Sequence, residues 1–444
     1  VHSTFSSGKY SIGELVSRAE GKGLEVLVLT DTYQAIMEYG LFPFPNLIRK
    51  REERQSVMTA GPQNYLAEIE RLNRQQQSVM IIPGVETTPF YYWKGNLFGE
   101  ELTAHDFHKD MLIIGMSNPD DYYNLPSLHG PVSTRYVRNL LPGFLIFLAA
   151  FFLSIYLVYQ KGLLRIGGIV VAVISLAMMF NYHPFKSSRF DPYHGEQGTA
   201  PYQDTIDTAR SRGGLTFWAH PESSRYTKGF QMGPVKLVTA HYPEALVASE
   251  NYTGFAALYG DTITATKAGR HWDRVLLQYC RGDRAESVWG IAGSDFKEEK
   301  NGNGLDSFLT VFLVKNRSAG DVLKALEQGR VYAVEKAGGY RLSLDQFWIL
   351  DEGSGRHATM GEELHSVSQP VVEGRISATD DGHHNVTVSI IRGGEQGWSF
   401  EGETPLKFRF VDHVKWSGKT YYRLDVSGKA AGKLLSNPIF VERE

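Results

Sequence analysis

Cysteine is nearly missing from this 444-residue chain. Cys280 stands alone and cannot form an internal disulfide, so cysteine usage reports no redox compartment. Excess charge is missing as well. Lysine and arginine number 46 against 49 aspartates and glutamates, a net charge of -3, which argues against a nucleic-acid partner. There is no internal repeat, no low-complexity tract and no visible signal peptide. The sequence opens on valine inside what reads as a motif, so a further segment is expected upstream. The length allows two or three domains.

Long apolar runs, by contrast, are present twice. Leu140 to Tyr159 reads LLPGFLIFLAAFFLSIYLVY, and Leu163 to Phe180 reads LLRIGGIVVAVISLAMMF. Each is about the length of one bilayer crossing. Only Gln160, Lys161 and Gly162 separate them, so 139–181 is expected to be a transmembrane helical hairpin set in the lipid bilayer. The alternative, a buried helical pair in a soluble core, conflicts with the lack of a polar face. Both ends of a hairpin emerge on one side, so the flanking regions share a compartment. Lys161 and Arg165 favour a cytoplasmic turn, whereas Arg135, Arg138, Lys186 and Arg189 flank the outer ends. The charge rule is divided, and the orientation favoured here puts the large soluble regions outside the cytoplasm.

The rest of the chain is organised around its opening, Val1 to Thr32. A His2-Ser3 pair leads into a polar loop, and Ser11 to Gly21 has Ile12, Leu15, Val16 and Ala19 at helical spacing. Leu24 to Leu29 is an apolar run suited to a buried parallel strand, and Thr30-Asp31-Thr32 follows at its end. The insert beyond is expected to hold a basic helix over 46–54 and an amphipathic helix over 62–75. Strands are expected at 79–83, 111–116, 215–219, 245–249 and 289–293. Several end in a polar group: Glu86, His220, Asn251 and Asp295, with Asp31 before them. Alternating strands and helices with side chains gathered at strand ends predict a parallel βα barrel with its chemistry at that rim. Histidines and carboxylates together there suit Zn²⁺, Mn²⁺ or Fe²⁺. Asp110 directly precedes a strand. His105 and His108 lie beside it and are tempting as metal ligands, but they read better as surface loop histidines. From Tyr340 the periodicity changes to short alternating runs between turn signals, which predicts a C-terminal β-sandwich of roughly a hundred residues.

These motifs resemble the PHP (polymerase and histidinol phosphatase) superfamily, and within it the branch similar to carbaryl-type hydrolases. The matching stretches are Val1-His2-Ser3, Thr30-Asp31-Thr32, Pro83-Gly84-Val85-Glu86, Asp110-Met111-Leu112, Ala219-His220-Pro221 and Gly293-Ser294-Asp295-Phe296-Lys297. Gly329-Arg330-Val331-Tyr332 and Ser436-Asn437-Pro438-Ile439-Phe440 resemble the same branch. The resemblance implies a distorted parallel βα barrel in two parts, 1–138 and 182–338, around the hairpin, with the β-sandwich at 339–444. It implies a centre of two or three divalent metal ions, generating hydroxide to attack a small-molecule phosphoester. Position by position it implies His2, Glu86, His220 and Asp295 as metal ligands. Glu86 would bridge two metals, and Asp31 would support the site. Thr32, Asp110 and Lys297 depart from the pattern, standing where the family has histidine. Asp110 can still ligate a hard metal, but a charged lysine cannot. The rival reading is therefore a metal-poor pseudoenzyme, a ligand-binding or sensory module in which Lys297 or Arg225 grips an anion. A weaker third is an assembly protein that uses the sandwich as its contact surface.

Overall fold

The strands that the apolar runs predict are present, but they do not all run the same way. The structure is a computed structural model that describes every residue except 77, 97–98, 262, 301–303, 367, 429–431 and 444. Before the C-terminal region it holds β1 (Val26–Val28), β2 (Asp31–Thr32), β3 (Ala35–Gly40), β4 (Arg49–Arg54), β5 (Met80–Ile82), β6 (Gly84–Thr87), β7 (Tyr92–Lys94), β8 (Thr103–His105), β9 (Met111–Ile114), β10 (Leu215–Trp218), β11 (Phe230–Met232), β12 (Val235–Val238), β13 (Gly254–Leu258) and β14 (Trp289–Ala292).

The central sheet has the order β14-β13-β10-β9-β6-β2. Strands β10, β13 and β14 are parallel, and so are β2 and β6. Strand β9 runs antiparallel to both β6 and β10. The sheet is therefore mixed, not wholly parallel as expected. The described strands also do not close into a barrel. The β1–β5 ladder leads into β2–β6 across Pro83, and no strand pairing joins β14 to β1 or β2. The opening segment spans that gap instead: Thr30 N donates to Val1 O, and His2 N donates to Phe296 O beyond β14.

Two sequence expectations fail on local grounds. The basic stretch 46–54 is not a helix, because Arg49–Arg54 pairs antiparallel with Ala35–Gly40 and this pairing overrides the helix propensity of Arg, Lys and Glu. The run 245–249 is not a strand, because Glu244–Ala248 is a short helix and the strand lies later, at Gly254–Leu258. A five-residue apolar run does not distinguish the two. Asn251 consequently precedes a strand and does not close one.

The first helix, Ile12–Gly21, matches its expectation. Ser11 Oγ accepts from Glu14 N, the Glu14 carboxylate accepts from Ser11 N, and the four apolar residues of the predicted face are buried. Pro62–Gln75 is likewise helical. The apolar runs form helices Val137–Val158 and Leu163–Asn181, which pack on each other and leave most of their surface exposed. At 1.5 Å per residue they measure about 33 and 29 Å, near the hydrocarbon thickness of a bilayer.

The C-terminal region is strand-rich, as its alternation implied. Its strands share a core that includes Leu342, Ile349, Val372, Val388, Leu424 and Val441. Two buried polar contacts tie it to the region before it, one to the helix His271–Arg281 and one to β14. Arg423 Nε and Nη2 donate to the Asp273 carboxylate at 2.8 and 2.9 Å, with both side chains fully buried. Asn437 accepts from Gly290 N on β14 and donates to Gly290 O and Val331 O.

Candidate metal centre

The site begins with a buried loop. Asp31, wholly buried at the start of β2, accepts from Ser3 N at 2.7 Å, Ser3 Oγ at 2.8 Å and Ser6 Oγ at 2.6 Å. Its carboxylate therefore holds the opening loop and takes no place among the clustered ligand atoms. Gly8 lets that loop fold over His2, since a Cβ there would stand 2.2 Å from His2 O. Thus fixed, His2 is buried, with Nδ1 3.3 Å from Ser6 Oγ. Its Nε2 points at Asp295 Oδ1 (3.2 Å) and Glu86 Oε2 (3.4 Å).

Glu86 lies within β6, not beyond a strand end, and the preceding Gly84 permits the tight three-strand approach. A Cβ on Gly84 would come within 2.8 Å of Leu29 O and 2.9 Å of Ile113 O. The other Glu86 oxygen faces His220 Nε2 at 3.6 Å, and that nitrogen is 3.5 Å from Asp110 Oδ2. His220 and Asp295, just past β10 and β14, both have positive φ (25° and 40°), a costly backbone state for residues with a Cβ. The result is two ligand triads, His2–Glu86–Asp295 and Glu86–Asp110–His220, joined at Glu86, with the ligand atoms of each within 4.8 Å of one another. His2, Glu86, His220, Asp295 and Asp110 thus converge. Asp31 supports the loop behind them, His105 stacks on Tyr92 away from the triads, and Asn251 plays no part.

The spacing suits an ion better than direct hydrogen bonds. The four histidine–carboxylate separations run from 3.2 to 3.6 Å. Charge-assisted hydrogen bonds are nearer 2.7–2.9 Å, whereas ligands ~2.1 Å from a tetrahedral ion stand ~3.4 Å apart. Without an ion, protons and nearby cations carry the charge balance. Burial would lower His220, but Asp110 and Glu86 lift it to about 10. Burial would raise Glu86, yet His2 and His220 hold it well below its usual range. Burial likewise opposes the ionised Asp295, which His2 chiefly holds at about 2.

The two triads differ in their neighbours. Lys297 Nζ sits 2.9 and 3.1 Å from the Asp295 oxygens, and Arg225 Nη1 lies 3.7 Å from Oδ2. Burial would lower Lys297, but Asp295 and Glu86 keep its ammonium above its ordinary value. No lysine or arginine pairs with Asp110 among the described residues. Thr88 Oγ1 donates to Asp110 Oδ1, and His108 Nδ1 lies 3.7 Å from Oδ2. Tyr242 OH donates to Ala219 O, 3.4 Å from His220 Nδ1. Thr88 and Tyr242 escaped the sequence reading because nothing in their surroundings marks them. His108 was visible as a histidine two residues before Asp110, where its neighbour His105 was an equal competitor.

A cavity of 480 Å³ opens on the cluster. Glu86, Asp110, His220 and Lys297 line one part of it, and Thr32, Met37, Tyr91 and Leu237 line others. A pocket lined by Glu86, Asp110, Asp295, three imidazoles, the Lys297 ammonium and an apolar wall can hold a divalent ion and an anionic group beside it.

No family model matches the chain, and no curated protein does. Among solved structures, a protein from Bifidobacterium adolescentis described as a metal-dependent phosphoesterase matches with a TM-score of 0.28 and 14% identity, over 69% of this chain and 88% of that one.

Proposed function

We propose that this chain is a membrane-anchored, metal-dependent hydrolase of phosphoesters, of the PHP type that its motifs resemble and in the branch similar to carbaryl-type hydrolases. The supporting observation is the pair of triads sharing Glu86, whose spacings match the edges of a metal's ligand shell. His220, Asp110 and Glu86 would hold the better-provided ion, and His2, Glu86 and Asp295 a second position. Bound there, Zn²⁺, Mn²⁺ or Fe²⁺ supplies Lewis acidity toward a phosphoryl oxygen and acidifies water. Lys297 and Arg225 would orient the substrate's anionic oxygens. Thr88 and Tyr242 would keep Asp110 and His220 in position, and Asp31 would keep the His2 loop closed. The helices Val137–Val158 and Leu163–Asn181 would anchor the protein in the bilayer. In this reading the chain divides into a two-part catalytic region (1–138 and 182–338), the hairpin (139–181) and a C-terminal β-sandwich (339–444).

One observation favours the second reading, a metal-poor binding module: Lys297 already neutralises Asp295. The two readings separate on the detergent-purified chain. Elemental analysis should find at least one divalent ion per chain, and Glu86→Gln should lose both that ion and phosphoester turnover. A Glu86→Gln protein with full activity would end the hydrolase reading, and no ion uptake from excess Zn²⁺ or Mn²⁺ would favour the binding module.

A further inference from the structure

The β3–β4 hairpin ends in an uncommon loop. Leu41 to Ile48 reads LFPFPNLI, eight residues without one charge. Surface turns are usually built from Gly, Pro, Asn, Asp and Ser, and Pro43, Pro45 and Asn46 fit that pattern, but the other five residues are Leu, Phe and Ile. Here Phe42 is 91% exposed, Ile48 54%, Leu47 46% and Leu41 38%. The loop is nevertheless ordered by its own backbone. Leu41 N donates to Ile48 O at 2.8 Å, Leu47 N to Phe44 O at 3.0 Å and Ile48 N to Phe44 O at 2.9 Å. The apolar side chains are thus presented on a fixed frame.

That frame is fastened to the end of an apolar helix. Asn46 N donates to Asn181 Oδ1 at 2.8 Å, and Asn46 Nδ2 donates to Asn181 O at 2.9 Å. Asn181 is the last residue of Leu163–Asn181 and is fully buried. The segments entering and leaving the helix pair add exposed Val132 and Phe185. Behind the uncharged tip, β4 is exposed along its length and begins Arg49-Lys50-Arg51. Arg49 pairs with Glu38, Lys50 with Glu52 and Arg51 with Glu53, so the strand still carries two more cations than anions of its own, Arg54 included. An apolar tip with a cationic collar is the pattern of a segment lying in the lipid interface.

We infer that the loop Leu41–Ile48 inserts into the interfacial layer of the bilayer that the two helices cross, as a third and non-spanning membrane contact. The inference rests on the membrane-anchored reading of those helices, and the occupant is the lipid surface because the loop is hydrogen-bonded to a helix end that reaches it. The hairpin thereby acts as a strut. Ile36, Met37 and Arg54 at its base line the cavity beside the metal triads. Five residue steps from the Ala35–Arg54 pair to the Gly40–Arg49 pair span about 17 Å. The strut would fix the height of the cavity above the lipid.

The test uses the full chain with Cys280→Ser and a single new cysteine, Phe42→Cys, Phe152→Cys or Lys407→Cys, each carrying an environment-sensitive fluorophore. Phe42 and Lys407 are exposed, so the label need not disturb packing. In nanodiscs of phosphatidylcholine and phosphatidylglycerol with spin-labelled lipids, the Phe152 position should be quenched most by deep labels. The Phe42 position should be quenched several-fold more than Lys407, and most by shallow labels. Quenching at Phe42 no greater than at Lys407, with Phe152 still quenched, would overturn the inference and leave the anchor intact. Absence of quenching at Phe152 would overturn the anchor and the inference with it. Protection of Phe42 from aqueous iodide without lipid quenching would assign the loop to a second copy of the chain and also overturn it.

Discussion

On the proposed metal-dependent function, replacing Lys297 with methionine should convert a site for one divalent ion into a site for two. The ammonium lies 2.9 Å from Asp295 Oδ1, and Asp295 belongs to the His2–Glu86–Asp295 triad. Unit charges 4 Å apart at an effective dielectric of about 20 interact by about 4 kcal/mol, so a divalent ion in that triad would be opposed by roughly twice as much. Arg225 is mostly exposed and 3.7 Å from Asp295, so solvent screens most of its effect. If only about 2 kcal/mol of the opposition survives relaxation, the affinity still changes more than tenfold. The assay is calorimetric titration of the metal-stripped chain in detergent with Mn²⁺ or Zn²⁺, checked by elemental analysis. Wild type should take up about one equivalent and Lys297→Met about two. The metal-free variant should also melt lower than wild type, because Asp295 and Glu86 lose a counter-charge, and added ion should restore it. A variant with unchanged stoichiometry and affinity would refute the electrostatic reasoning.

The remaining predictions are shorter. In metal-free protein His220 is lifted from about 6.5 to about 10, so its contribution, on the order of a few kcal/mol, is complete below pH 6.5 and lost as pH rises through 10. The Tm of chelator-treated protein should fall from pH 7 to 10 while ion affinity rises, because the ion displaces that proton; a flat Tm over this range would contradict the assignment. Asp273→Ala strands the buried Arg423 guanidinium and should cost about 3–5 kcal/mol, read as a lower Tm, with Asp273→Ala/Arg423→Met recovering much of the loss. The charge rule for the hairpin is divided, with Arg135, Arg138, Lys186 and Arg189 near its outer ends and Lys161 and Arg165 at its turn. The orientation favoured from the sequence puts the turn in the cytoplasm and the soluble regions outside it. A cysteine at Gly162 in the Cys280→Ser chain should then be protected from an impermeant maleimide in intact cells, and its labelling would favour the opposite orientation.

The residues that converge were legible because each sits at a fixed offset from an apolar run. His220 and Asp295 follow β10 and β14 directly, and the strands carry them to one edge of the sheet. Strand direction was not legible. The composition of Met111–Ile114 is that of any buried strand, and only the sheet reveals that it runs against both neighbours. Arg49–Arg54 misled for a related reason, since an exposed edge strand of charged residues has the composition of a surface helix. The positioning groups were the least legible. Thr88 is an unremarkable polar residue, and Tyr242 is one tyrosine among 23. Neither acquires meaning until the fold sets its hydroxyl against Asp110 or His220.

The three departures from the resembled motif then separate into unequal effects. Asp110, where that motif carries histidine, keeps a ligand atom 3.5 Å from His220, so its triad retains three donors. Thr32 lines the cavity and belongs to neither triad. Lys297 alone adds a fixed positive charge, and it does so against Asp295, a ligand that Glu86–Asp110–His220 does not share. A loss spread over both triads would have argued for a site abandoned altogether. A loss confined to one argues for a centre reduced to a single ion, with a fixed cation where the second would stand. Such a centre would keep one Lewis acid and gain a permanent anion-binding group, which is compatible with turnover of an anionic ester. On this geometry the choice between enzyme and binding module turns on whether Glu86–Asp110–His220 fills.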